Sequence, residues 1–148
     1  LFQSLGSDLS IISYAFNLKV DGVINTDLKL MNQLNDGIFR KLSLQPNQSG
    51  EVPDVELFVT SSAFDIDSYG QPLIDNFAGR AGVTTIDDTS MTFLISTTQN
   101  PWLSSTFEKG NMINDLIDVL RSTVNTTVKE VIADNHLQNA KQCNKNDY

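Results

Sequence analysis

The period of the hydrophobic positions changes near residue 100, and most of what the chain says about its fold follows from that change. Between Ser13 and Val20 the stretch SYAFNLKV nearly alternates, with Tyr14, Phe16, Leu18 and Val20 on one side, which predicts a half-buried strand. Asp21-Gly22 follows as a turn signal, and Ile24, Thr26, Leu28 and Leu30 continue at period two. A two-residue loop would pair Val20 with Val23 and set Phe16 and Leu18 on one face with Asp27 and Asn25. Pairing Val20 with Ile24 brings both apolar rows to one side, so the pattern predicts a hairpin with a three-residue or bulged turn.

Residues 31–44, MNQLNDGIFRKLSL, carry conflicting signals. Met31, Leu34, Ile38 and Leu42 suit a helix, whereas Asn35-Asp36-Gly37 suits a turn between strands, and the turn is the preferred reading. QPNQSGEVP (45–53) reads as a surface loop, VELFVT (55–60) as the next strand. GVTTID and SMTFLIST then form a hairpin turning at Asp87-Asp88-Thr89, with Met91, Phe93 and Ile95 on one face. LIDNFAGRAG (73–82) has too many small residues to separate a short helix from an exposed crossing.

From Asn100 onward the signals are helical. Asn100-Pro101 is a helix start, so Trp102 to Lys109 reads as a short helix ended by Gly110. Ile113, Ile117, Leu120, Val124, Val128 and Val131 recur at spacings of four and three, one apolar stripe on a helix over residues ~111–137. At ~1.5 Å per residue such a helix spans roughly 35 Å, enough to cover one sheet face. Its middle, Ser122 to Val128, is rich in β-branched residues, so tertiary packing must hold it helical. Strands first and a helix last, without βαβ alternation, predict an α+β fold: an antiparallel sheet of hairpins over ~12–97 covered by the C-terminal amphipathic helix. The 148 residues fit one domain, 1–138, followed by a polar, flexible tail, 139–148.

Charge narrows the partners. The net charge is −8, from 18 acidic and 10 basic residues, and no run of cations exceeds Arg40-Lys41, which argues against nucleic acid and anionic lipid surfaces. No apolar stretch approaches the ~20 residues of a membrane-spanning helix. The opening LFQSLGSDLS has neither an initiator Met nor a basic n-region and reads as a processed or trimmed start. Charged residues make up only 19%, Ser, Thr, Asn and Gln are abundant, and two glycosylation sequons occur, at Asn47 and Asn125. Together these point to an extracellular, secreted setting, with Asn47 in its loop the better acceptor. The lone Cys143 allows no internal disulfide and no multi-cysteine zinc site; it is a free thiol or a candidate interchain bridge.

Candidate chemistry is sparse. FDIDSYGQPLIDNF (64–77) approaches a calcium loop, with Asp65, Asp67 and Gly70 at its first, third and sixth positions and Asp75 close by. Tyr69 and Asn76 stand where a fifth-position oxygen donor and the bidentate Glu belong, so any calcium binding is weak and a polar turn at Ser68-Tyr69-Gly70-Gln71 is preferred. His136 is the single histidine, placed where a helix end favours a cation, and no GxSxG elbow or glycine-rich phosphate loop accompanies it. No catalytic constellation is legible, and no cofactor is expected. Phe16, Met91, Phe93, Trp102 and Phe107 are core residues or, read functionally, the lining of an apolar cleft between sheet and C-terminal helix. Two functions remain: a non-enzymatic structural or interaction subunit that associates with itself or another protein in an extracellular or particle-like assembly, and a secreted carrier of a lipid or other small apolar ligand.

Overall fold

Asp27 decides where the first of the described helices begins. Its carboxylate accepts a hydrogen bond from the Leu30 N–H at 3.0 Å and caps helix α1, Leu28–Lys41, whose last turn carries Arg40 and Lys41 at the negative end of the helix dipole. In the computed structural model, which describes residues 11–44, 57–97 and 112–143 (side chains of the last segment over 113–136), the remaining elements surround this helix. They are strands β1 (Ile11–Tyr14), β2 (Lys19–Val20), β3 (Val23–Ile24), β4 (Thr60–Asp65) and β5 (Ser90–Thr97), and helices α2 (Ile66–Tyr69), α3 (Gln71–Arg80) and α4 (Met112–Cys143). The class is α+β. β5 lies between β1 and β4 and is antiparallel to both, while β2 and β3 form a separate two-stranded ribbon.

The turn expected within 31–44 is therefore the body of α1, and the residues that suggested a turn have other duties. Asn35, fully buried, donates from Nδ2 to the carbonyls of Phe16 and Met31, at 2.9 and 2.8 Å, and accepts the Phe16 N–H at 2.9 Å through Oδ1. β1 stops at Tyr14, opposite Leu94, so the chain beyond it has no strand partner, and the Asn35 amide takes that place. One turn earlier, Asn32 treats β5 alike: Oδ1 accepts the Thr92 N–H at 2.9 Å and Nδ2 donates to the Ser90 carbonyl at 2.7 Å. Gly37 sits where α1 crosses α4; a Cβ there would lie 2.6 Å from Cγ2 of buried Thr127.

Other expectations shift for related reasons. The hairpin turn is two residues long, with Val20 opposite Val23, and both Asp21 (φ 50°) and Gly22 (φ 84°) adopt the left-handed geometry of a tight hairpin turn. Matching apolar rows did not decide the register because this ribbon is exposed, Val23 at 71%. VELFVT contributes only its last residue, Thr60, to a strand among the described residues, and GVTTID does not pair with SMTFLIST. Residues 84 and 85 instead bond to the Thr26 carbonyl, and Thr85 accepts the Leu28 N–H, which ties this segment to the start of α1. LIDNFAGRAG lies mostly on α3.

Among the described residues two apolar clusters fill the interior. Leu18, Leu34, Ile38, Leu42, Val59, Leu94 and Val131 form the first, so α1 and α4 pack together over the sheet, with Leu120, Val124 and Val128 half-buried against them. The second joins Leu28 and Met31 to Ile74, Ala78, Val83 and Met91, binding α3 to α1 and β5. The apolar stripe of α4 is covered only in part, since Ile117 remains 41% exposed where the helix passes Phe16. Across the crossing, Asn135 donates to Gln33 at 3.3 Å and Lys41 pairs with Glu130 at 2.7 Å in a half-exposed setting. α4 continues through Cys143, and the rest of the expected tail, 144–148, lies outside the described residues.

Candidate functional site

FDIDSYGQPLIDNF closes on itself through its aromatic residues rather than its carboxylates. Phe64 lies on β4 opposite Met91, and strand alternation places Phe93 on the same face as Met91. The Phe64 and Phe93 rings stack with centroids 4.4 Å apart and planes at 25°. α3 folds back so that Phe77, the last residue of the stretch, reaches Phe64 at 5.1 Å, and Tyr69 meets the same ring edge-on at 5.1 Å. These geometries fall within the favourable range for aromatic pairs. α3 is fixed by burial of Ile74 and Ala78, which lie on the helix face beside Phe77.

Between this aromatic cluster and the end of β1 lies a cleft of about 410 Å³. Phe64, Phe77, Phe93 and Met91 form its apolar part, and Ser13, Tyr14 and Ala15 line it where β1 runs beside β5. Arg80, exposed at the rim, holds its guanidinium 5.5 Å from the Phe77 ring centroid, a cation–π contact. The volume lies within the roughly 300–1,000 Å³ typical of small-ligand sites, and an apolar lining with one charged group at its edge is the usual composition. A second hollow, about 280 Å³, is lined by Phe16, Ile117, Leu120, Arg121, Val124 and Asn125 on α4, and falls below that range.

Of the residues expected to line a cleft between sheet and C-terminal helix, the described ones fall in two different hollows. Met91 and Phe93 belong to the larger cleft, covered by α3 rather than α4, while Phe16 belongs to the smaller hollow. Trp102, Phe107 and Asn47 lie outside the described residues, as does the Cys143 side chain at the end of α4. Asn125 is exposed on α4, and so is His136. Phe64, Phe77 and Arg80 were not singled out by sequence; the usable signal was that Phe64 and Phe77 begin and end the stretch otherwise read for its aspartates.

Two of the three aspartates have local partners, and the third, Asp67, lies in the first turn of α2. Asp65, at the end of β4, caps α2 by accepting the Ser68 N–H at 3.0 Å, and Asp75 accepts from Gln71 Nε2 at 2.8 Å. Among the described residues no three Asp, Glu, His or Cys side chains converge as a metal site would require. Asp65→Ala is expected to lower stability by about 0.5–1 kcal/mol, the usual worth of an N-cap, equally with and without millimolar calcium in thermal melts. A loss that appears only when calcium is present would make Asp65 a ligand.

None of the helices searched among the described residues is long and apolar enough to cross a membrane. The chain matches no protein-family model, and no curated protein shows significant similarity to it.

Proposed function

We propose that this chain is a non-enzymatic binding module that holds a small apolar ligand in the cleft between α3 and the sheet. The observation that carries the reading is the stacked Phe64–Phe93 pair with Phe77 beside it, an aromatic wall exposed to a cleft of about 410 Å³. A purely structural cluster of three rings would be expected to close over its own faces, because leaving aromatic surface in contact with water forgoes roughly 25 cal/mol per Å². Ser13 lies on β1 on the same sheet face as Phe93, lines the cleft and is exposed, so Ser13→Trp fills the cleft with a residue that strands accept. Titration with the neutral fluorophore N-phenyl-1-naphthylamine is expected to show saturable binding that Ser13→Trp weakens at least tenfold. Equal affinity in the two proteins would overturn the assignment.

A second reading, an interaction subunit, is favoured by exposed apolar residues on other surfaces: Ile11 and Ile12 on β1, an edge strand among the described residues, and Ile117 on α4. Light scattering during size-exclusion chromatography, with and without reductant, separates the two. The interaction reading expects an oligomer, which dissociates under reductant if Cys143 bridges chains; a monomer in both conditions removes that reading. An extracellular setting belongs to either proposal and rests on the sequons and low charge.

A further inference from the structure

Arg80 gives the cleft a chemical preference as well as a shape. Its position has a structural explanation, since the last turn of α3 favours a cation and the Phe77 ring holds the guanidinium by its face. That contact, 5.5 Å from the ring centroid, uses none of the guanidinium N–H donors, the fork that matches a carboxylate. Among the described residues no carboxylate pairs with Arg80: the acid on its own helix, Asp75, takes its hydrogen bond from Gln71, and the ion pairs of Lys41 and Arg121 lie elsewhere, with Glu130 and Asp118. An arginine held beside a ring at the mouth of an aromatic cleft therefore has donors that no carboxylate among the described residues takes up.

We propose that the ligand of this cleft is a planar aromatic monoanion, its ring against Phe64, Phe77 and Phe93 and its acidic group on the Arg80 fork. The inference rests on the cleft being the binding site. The chain's net charge of −8 opposes any anion at long range, but that repulsion is screened beyond about 8–10 Å at physiological salt, so a contact pair at Arg80 survives it. The aromatic part supplies the burial, and the fork selects an acid over its neutral analogue.

Two probes of similar size separate these contributions: 1-anilinonaphthalene-8-sulfonate, which is anionic, and N-phenyl-1-naphthylamine, which is neutral. Both are titrated into the wild type, Ser13→Trp, Arg80→Gln and Arg80→Lys, each verified as folded by an unchanged circular dichroism spectrum. Ser13→Trp is expected to weaken both probes. Arg80→Gln is expected to weaken the sulfonate about tenfold and leave the neutral probe within about twofold, and Arg80→Lys to fall between, because the charge remains and the fork does not. If Arg80→Gln affects neither probe, or both equally, while Ser13→Trp still abolishes binding, the anion assignment fails and the cleft reading stands. If neither probe binds, or Ser13→Trp changes nothing, the cleft reading fails and takes the anion assignment with it.

Discussion

Asn35→Leu is expected to lower the free energy of unfolding by about 3 kcal/mol, read in urea as a lower midpoint at unchanged slope. Leucine keeps the branched four-heavy-atom skeleton of asparagine but is larger, so at this fully buried site some overpacking adds to the loss of the hydrogen bonds. Without the Asn35 amide, the N–H and carbonyl of Phe16 lose their partners, and each unsatisfied buried group costs about 1–3 kcal/mol. Asn32→Leu strips the Thr92 N–H and the Ser90 carbonyl in the same way, so a loss of similar size is expected there. A change below about 1 kcal/mol at Asn35 would mean that water replaces the amide and that the asparagine is not a substitute strand.

The second large effect is at the helix crossing. On an open helix Gly37→Ala would stabilise by about 1 kcal/mol through backbone entropy alone. Here the new methyl meets Cγ2 of Thr127 at 2.6 Å. Thr127 cannot easily rotate away, because its hydroxyl donates to the Thr123 carbonyl at 2.8 Å and the side chain is buried. Overpacking of this kind costs about 1–3 kcal/mol, so Gly37→Ala is expected to be net destabilising by about 1–2 kcal/mol in thermal or urea unfolding. Thr127→Ser removes the obstructing methyl and keeps the hydroxyl. The double variant is therefore expected to recover the loss, with a coupling of at least about 1 kcal/mol in the double-mutant cycle. Additive effects would show that α1 and α4 do not cross at Gly37.

These two positions also show why α1 was misread. Asn32, Asn35 and Gly37 occupy inward positions of a helix, but they are polar or small because they serve backbone groups and close contact, so their composition resembles a turn. α4 was legible because its stripe is apolar throughout, apart from Thr127, and its partners are apolar too. The β2–β3 register followed turn geometry rather than burial, since little of that ribbon is buried. The strand order could not be read from neighbours in sequence: β5 pairs with β1 and β4, and the span between each of them and β5 carries helices. The cleft shares that cause. Met91 and Phe93 were visible as an alternating pair, whereas Phe64 and Phe77 acquire meaning only when α3 folds back across the sheet.

The central claim, that ligand sits against the aromatic wall beneath α3, is tested most directly by intermolecular nuclear Overhauser effects to bound N-phenyl-1-naphthylamine. Contacts from the probe to the ring protons of Phe64, Phe77 and Phe93 and to the Met91 methyl group are the predicted result. Contacts confined to Ile117, Leu120 and Val124 at the α4 hollow, or none at the three rings, would contradict it.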